Sequence, residues 1–187
     1  MSPGPAPAAQ NAAVLQQGLA VYAELDDALY TGVPAGLAHN GVGSHFRHIH
    51  DYYRCFLRGI AEGRVDYDRR LRDERFEVDR VYAARELERT LAELLALAAR
   101  DVERPLWVKM DAEDGGAGLS AEQLWSRSTL GRELRFLLSH TIHHYALIAM
   151  ILKVQGFDCG REFGVAPSTL EYWKAGAVCA PSPGSDA

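Results

Sequence analysis

The chain has 187 residues, of which 48% are hydrophobic and 24% are charged, and its formal net charge is -5 at pH 7. This length suits one domain with a buried core, and the composition excludes a fibrous or wholly disordered chain. The acidic balance argues against a general nucleic-acid-binding protein, because such proteins concentrate basic residues on one face. We therefore expect a single globular domain with no nucleic-acid partner.

The ends of the chain and its cysteines bear on its location. The N-terminal residues have neither a positively charged n-region nor an apolar h-region, so residues 1–9 are interpreted as a disordered tail. The apolar stretch Tyr145–Leu152 is much shorter than the roughly 20 residues that span a bilayer, which predicts no membrane partner. Three cysteines without a CxxC pair suit reduced thiols. We expect a cytoplasmic protein.

Four long segments have the apolar periodicity of amphipathic helices. The first covers about residues 10–30, and the second covers residues 41–62 and is followed by Gly63, a residue typical of helix C-termini. The third, residues 75–100, is rich in good helix formers. Ser120 and Thr129 are candidate N-caps for the fourth, which should run to about residue 155. A short helix is expected over STLEYWKA, residues 168–175.

Four such helices without a convincing run of strands predict an all-α fold. We expect an antiparallel four-helix bundle with a long crossover and a short C-terminal helix. Over residues 105–118, a short strand-like piece followed by glycines indicates an irregular excursion or a small hairpin. The single domain is assigned to residues 10–175, and residues 176–187 are interpreted as a flexible tail. Bundles of this kind build metal sites from side chains on facing helices.

Three histidines interrupt the apolar run FLLSHTIHHYALIAMIL, residues 136–152. His140 and His144 are four residues apart, so they lie on one helical face with Cβ atoms roughly 5–6 Å apart. This spacing allows two imidazoles to bind one ion, as HxxxH pairs do on metalloprotease helices. His143 points about 100° away from His144 and is not expected to join them.

A second group of histidines lies in GVGSHFRHIHDYYRCFL, residues 41–57. A helical wheel places His45 and His48 on the apolar, inward face and His50 on the opposite face, where we expect it to be solvated. Buried imidazoles need partners for their nitrogens, and one divalent ion satisfies several at once. Two ligands from the fourth helix and one from the second would leave coordination positions open, as catalytic metal sites require.

Charged residues outside the histidine groups give weaker indications. Glu133 lies two turns before His140 on a similar face, so it is a candidate to orient a ligand or to act as a general base. A carboxylate that faces the surface is the alternative. In DRRLRDER, residues 68–75, the arginines, Arg70 among them, alternate with acidic residues, which indicates a solvated loop rather than a phosphate site.

The motifs HFRHIHDYYRCFL and RELRFLLSHTIHHYALI resemble the DinB-like (DinB/YfiT-like) superfamily of metalloenzymes over about residues 10–156. The resemblance implies a four-helix bundle, usually dimeric, in which three histidines bind nickel, zinc or a similar divalent ion. Carried over, the ligands are His48, His140 and His144, because His48 is followed nine residues later by Leu57, as in the family. His45 is the alternative to His48. The sequence departs from relatives after the last ligand, where they have an HRGQI-like end.

The resemblance also implies a function, since the wider group includes thiol-dependent transferases and isomerases. We expect a metal-dependent enzyme of hydrolase or thiol S-transferase type, acting on a small molecule as a homodimer. A low-molecular-weight thiol is a candidate substrate. One alternative is a non-catalytic metal-binding or structural dimeric module. Another is that no metal binds and the histidines are hydrogen-bonded in the core.

Overall fold

The computed structural model describes residues 6–36, 41–97, 101–110 and 122–175. This part of the chain is mostly helical, as predicted, and contains seven helices and a three-stranded sheet. In chain order the elements are α1 (Pro7–Glu24), α2 (Asp27–Thr31), α3 (Val42–Glu62), β1 (Arg64–Asp66), α4 (Arg75–Val78), α5 (Arg80–Leu95), β2 (Pro105–Lys109), β3 (Ser126–Thr129), α6 (Leu130–Val154) and α7 (Pro167–Lys174). Ser120, residues 1–5 and the predicted tail 176–187 lie outside the described residues.

Aspartates divide two of the predicted helices. Asp26 accepts a hydrogen bond from the backbone N–H of Leu29 at 2.8 Å, so α2 begins as a separate helix after α1. Asp79 likewise accepts from the backbone N–H of Tyr82 at 2.8 Å and separates α5 from α4. The aspartate side chain satisfies a free N–H at a new helix start, which favours a break in the middle of an apolar pattern.

The helix ends that position the histidines are the predicted ones. Gly63 ends α3 with φ 73°, in the left-handed region that favours glycine. The Thr129 hydroxyl accepts a hydrogen bond from the backbone N–H of Arg132 at 3.2 Å and so caps α6. Both histidine-bearing helices therefore begin or end where local sequence chemistry indicates.

A small sheet, which the predicted all-α fold did not include, connects the ends of these two helices. β2 contains the expected strand-like piece; it pairs parallel with β1 and antiparallel with β3. In the register, Val108 lies opposite Val65 on one side and Ser126 on the other. Because β1 follows α3 and β3 leads directly into α6, the sheet holds the C-terminal end of α3 near the N-terminal end of α6.

The four long helices pack in pairs around a common core. α1 contacts α5 and α6, and α3 contacts the same two helices. α3 and α6 run in opposite directions, because His45 lies beside His144 whereas His48 lies beside His140. Phe46, Phe56 and many aliphatic side chains are buried between the helices.

A buried polar network joins three of these helices. On α1, Asn11 accepts a hydrogen bond from the Tyr53 hydroxyl of α3 at 2.6 Å and donates to the carbonyl of Leu134 on α6 at 2.8 Å. The hydroxyls of Tyr53 and Thr141 are 3.1 Å apart. Since an unpaired buried polar group is costly, this network fixes how α1, α3 and α6 lie against one another.

The segment after α6 folds back onto that helix. The ring of Phe163 stacks on that of Tyr145, with centroids 4.6 Å apart. Gly164 has φ 72°, and a Cβ at this position would lie 2.5 Å from the backbone nitrogen of Ala146. Glycine is therefore required for the close approach, after which α7 forms the expected short C-terminal helix.

Among the described helices, α6 is the one that is long and apolar enough to cross a membrane by length and composition. The core helix of a soluble protein passes the same test. α6 packs against α1 and α3 and buries the charged side chain of Glu133. The finding is therefore weak evidence for a membrane span, and the expectation of no membrane partner stays a prediction.

Candidate metal centre

Three histidines meet between α3 and α6. One ligand nitrogen from each of His48, His140 and His144 lies within 4.8 Å of the other two. The Nε2 atoms of His48 and His140 are 3.1 Å apart. Two nitrogens bound to one tetrahedral zinc ion at about 2.0–2.1 Å would be roughly 3.3 Å apart. The spacing of these two nitrogens therefore already suits a shared ion, and all three side chains are partly exposed to solvent.

Burial keeps these imidazoles in the neutral form that binds metals. Desolvation lowers the pKa of His48 and of His140 to about 4, and repulsion from nearby cationic groups adds to the effect. The pKa of His144 is lowered to about 3, first by burial and then by the neighbouring histidines. At neutral pH a cation would therefore not have to displace protons from these ligands.

The donor set also fits a cation. Among the described residues, no carboxylate oxygen forms an ion pair, at 4.0 Å or less, with any of the three imidazoles. The imidazole rings contact one another. Nδ1 of His140 is buried and has no hydrogen-bond partner within the described ranges. Clustered neutral imidazoles with unsatisfied nitrogens are costly in a core, whereas one divalent ion would satisfy several lone pairs together.

His45 contacts this group of three but is not part of it. Its Nδ1 lies 2.9 Å from Nδ1 of His144, and the two ring centroids are 5.2 Å apart. A metal-binding histidine commonly uses its second ring nitrogen in a hydrogen bond that fixes the tautomer and the ring orientation. The structure thus brings His48 together with the α6 pair and places His45 where it could orient His144.

Two further histidines on these helices are not members of the group of three. His143 is exposed, and its ring centroid lies 5.2 Å from that of His144, but the cluster of ligand nitrogens does not include it. The prediction that His50 is solvated is wrong: its side chain is 8% exposed and stacks on Phe76, with ring centroids 4.4 Å apart. α4 covers this face of α3, and a helical wheel of α3 alone cannot show that. Burial lowers the pKa of His50 to about 4.

Glu133 is fully buried and hydrogen-bonded. Its carboxylate accepts hydrogen bonds from the hydroxyls of Tyr67 at 2.9 Å and Ser128 at 2.5 Å, and forms an ion pair with Arg132 at 2.8 Å. It therefore does not face the surface. These contacts fix the start of α6 against β3 and the loop after β1, and none of them involves a histidine. A role for Glu133 as general base stays a prediction.

An aromatic and a cationic side chain, those of Tyr52 and Arg70, border the three histidines. The ring of Tyr52 has its centroid 4.3 Å from that of His140 and 4.9 Å from that of His48. The Arg70 guanidinium carbon lies 4.9 Å from the centroid of the same ring. Tyr52 lies four residues after His48, and the helical wheel places it on the same inward face; its side chain is buried there. Arg70 lies in a loop, where no helical or strand periodicity indicates which way its side chain points.

The family model described as the DinB superfamily matches residues 11–148, which contain both histidine-bearing helices. The chain belongs to the DinB superfamily. The resemblance inferred from two short helix motifs is thereby confirmed. The DinB superfamily is metal-binding, and His48, His140 and His144 lie close enough together to hold a divalent ion.

A curated relative gives a second comparison. FK506-binding protein 5 of Rhizopus delemar is 35% identical to this DinB-superfamily chain over 114 residues. The match covers 59% of this chain and 28% of that protein, so the chain spans little more than a quarter of the relative's length. The search of solved structures found no significant match.

Proposed function

We propose that this DinB-superfamily protein is a metal-dependent enzyme acting on a small molecule, with His48, His140 and His144 as its metal ligands. The main observation in support is the group of three half-buried imidazoles whose ligand atoms lie within 4.8 Å of one another. Nickel and zinc are the ions we propose, because both accept neutral imidazole. When bound, such an ion would act as a Lewis acid, lowering the pKa of a water or thiol and stabilising developing negative charge.

The surrounding residues support an open site for a small molecule. Three protein ligands leave coordination positions free, and the partial exposure of the imidazoles lets a small molecule reach them. Tyr52 and Phe136 pack their rings beside His140 and restrict its orientation. Hydrolysis and thiol transfer both suit this arrangement. The family resemblance supports a low-molecular-weight thiol as the substrate, and so does the preference of a cationic site for a thiolate.

The arrangement of the four long helices is also part of the proposal. We propose that α1, α3, α5 and α6 form one four-helix bundle around the site, with long crossovers through α2 and through the sheet. The pairwise packing of the four helices supports this. A hydrogen bond from the guanidinium of Arg80, at the start of α5, to the carbonyl of Tyr22, near the end of α1, also supports it. The end of one helix lies beside the start of the other, so α1 and α5 are antiparallel.

Elemental analysis of protein purified without added metal tests the proposed function. We expect about one nickel or zinc ion per chain in the wild type and a loss of this ion in His144→Ala. His143→Ala is the matched control, because this neighbouring histidine is exposed and should leave the metal content unchanged. A wild-type protein that takes up no divalent ion, even after reconstitution, would rule out a metal-dependent enzyme.

A non-catalytic metal-binding module is the second candidate function, and His45 favours it. A fourth imidazole beside the three could complete a tetrahedral shell, as in structural zinc sites. X-ray absorption spectroscopy of the zinc-loaded protein separates the two functions. Four histidine nitrogens would indicate a structural site, whereas three nitrogens with an exchangeable water oxygen would support the enzyme.

A further inference from the structure

We propose that Arg70 binds a carboxylate group of the substrate beside the metal site. The substrate would then be a small carboxylate that carries a second group able to reach the ion. This inference rests on the proposed function and adds the class of molecule that the site accepts. It comes from a loop residue whose sequence context indicated only a solvated surface.

Arg70 borders the histidine site through one aromatic ring. It lies in the loop between β1 and α4, and its guanidinium packs over Tyr52, 4.9 Å from the ring centroid. That ring in turn contacts the rings of His48 and His140. The neighbouring side chain of Arg69 is exposed. The loop therefore places one of two adjacent arginines beside the site and leaves the other in solvent.

The positive charge of Arg70 lies close to the proposed ligands. Only the ring of Tyr52 stands between its guanidinium and the rings of His48 and His140. An ion held by three neutral imidazoles would keep its full charge of about +2, to which Arg70 adds a third positive charge. Such a site attracts a molecule that carries more than one anionic group.

The guanidinium also has hydrogen-bonding capacity that the protein does not use. Nη1 of Arg70 is buried, and none of the described residues accepts a hydrogen bond from it. A guanidinium has five N–H donors in a planar fork that matches the two oxygens of a carboxylate. Leaving a buried, charged donor unpaired is costly, which favours an acceptor supplied from outside the chain.

The buried acid Asp51, on whose pKa Arg70 acts, forms no ion pair with Arg70. Asp51 is buried on α3, and burial raises its pKa, although Arg47 and Arg70 oppose that rise. Within the described part of the chain, no carboxylate forms an ion pair with Arg70 at 4.0 Å or less. The guanidinium is therefore available to an anion that enters the site from solvent.

Calorimetric titration with succinate tests the inference. Succinate is a dicarboxylate that can offer one group to Arg70 and the other to the ion. We would titrate it into the wild type, Arg70→Gln and the matched control Arg69→Gln, each metal-free and zinc-loaded, after measuring zinc content. For the zinc-loaded forms we expect equal Kd values for the wild type and Arg69→Gln. We expect binding at least about tenfold weaker for Arg70→Gln with unchanged zinc content.

A further variant separates binding from folding. Arg70→Lys keeps the charge but loses the planar fork, so we expect succinate binding between the wild-type and Arg70→Gln values together with wild-type thermal stability. Absence of succinate binding by the zinc-loaded wild type, equal affinity in Arg70→Gln, or loss of zinc in Arg70→Gln would each overturn the inference while leaving the metal site in place. A wild type that binds no zinc would instead contradict the proposed function.

Discussion

At the scale of single residues, burial decides the protonation of the histidines. Four of them, His48, His50, His140 and His144, have pKa values of about 3 to 4. Desolvation is the largest cause for each of the four, so the effect does not depend on any one contact. These side chains are therefore neutral in the folded protein throughout the neutral and mildly acidic range.

The metal-free protein should lose stability as the pH falls from about 6.5 to 4. In this window the unfolded chain binds protons at these histidines and the folded chain does not, so the free energy of unfolding decreases with falling pH. Thermal melts in chelator, read across this window, measure the effect. His50→Leu should have a shallower pH dependence than the wild type, because it removes one of these buried histidines. Identical slopes in wild type and His50→Leu would contradict the assignment for His50.

The two candidate histidines of α3 should differ when each is removed. His48→Ala should abolish zinc binding, because it removes a ligand. His45→Ala should weaken zinc binding by roughly 10–100-fold, because it removes only the group that orients His144. Competition with a chromophoric chelator gives both affinities. The opposite ranking would make His45 the ligand and His48 its neighbour.

At the scale of helices and strands, the sequence predicts what depends on short-range chemistry. Gly63 and Thr129 mark helix ends correctly, because their backbone conformation and side-chain capping are local properties. The prediction that His50 is exposed was wrong. The periodicity of α3 gives the apolar face of that helix alone and does not show that α4 packs on the other face. Arg70 could not be placed for a related reason: its direction depends on the path of a loop.

The interhelical network should contribute measurably to stability. Asn11→Ala leaves the hydroxyl of Tyr53 and the carbonyl of Leu134 without their partner inside the core. We expect a loss of about 1–3 kcal/mol in the free energy of unfolding, and about 2–4 °C in Tm for each kcal/mol. Gln16→Ala, at an exposed position of the same helix, is the control for circular dichroism melts. A Tm equal to that of the control would show that water replaces the network.

At the scale of the whole molecule, we expect a homodimer. The family resemblance implies it, and Met150 and Val154, one helical turn apart on α6, are 67% and 71% exposed in the single chain and could form part of an apolar contact surface. Light scattering after size exclusion should give twice the 20.6 kDa mass of one chain. Met150→Glu should shift the mass towards one chain. A wild-type mass of one chain at micromolar concentration would contradict the expectation.

Phe163 and Gly164 pack closely on α6, although both lie beyond the end of the superfamily match. The superfamily match ends at residue 148, whereas the ring that covers Tyr145, one residue after His144, comes from Phe163. The part of the chain that the family model matches thus ends before the segment that packs on α6. A fragment cut at the homology boundary would expose an aromatic side chain directly behind a proposed ligand. We therefore expect the functional unit to extend at least to Gly164, beyond the last residue of the match.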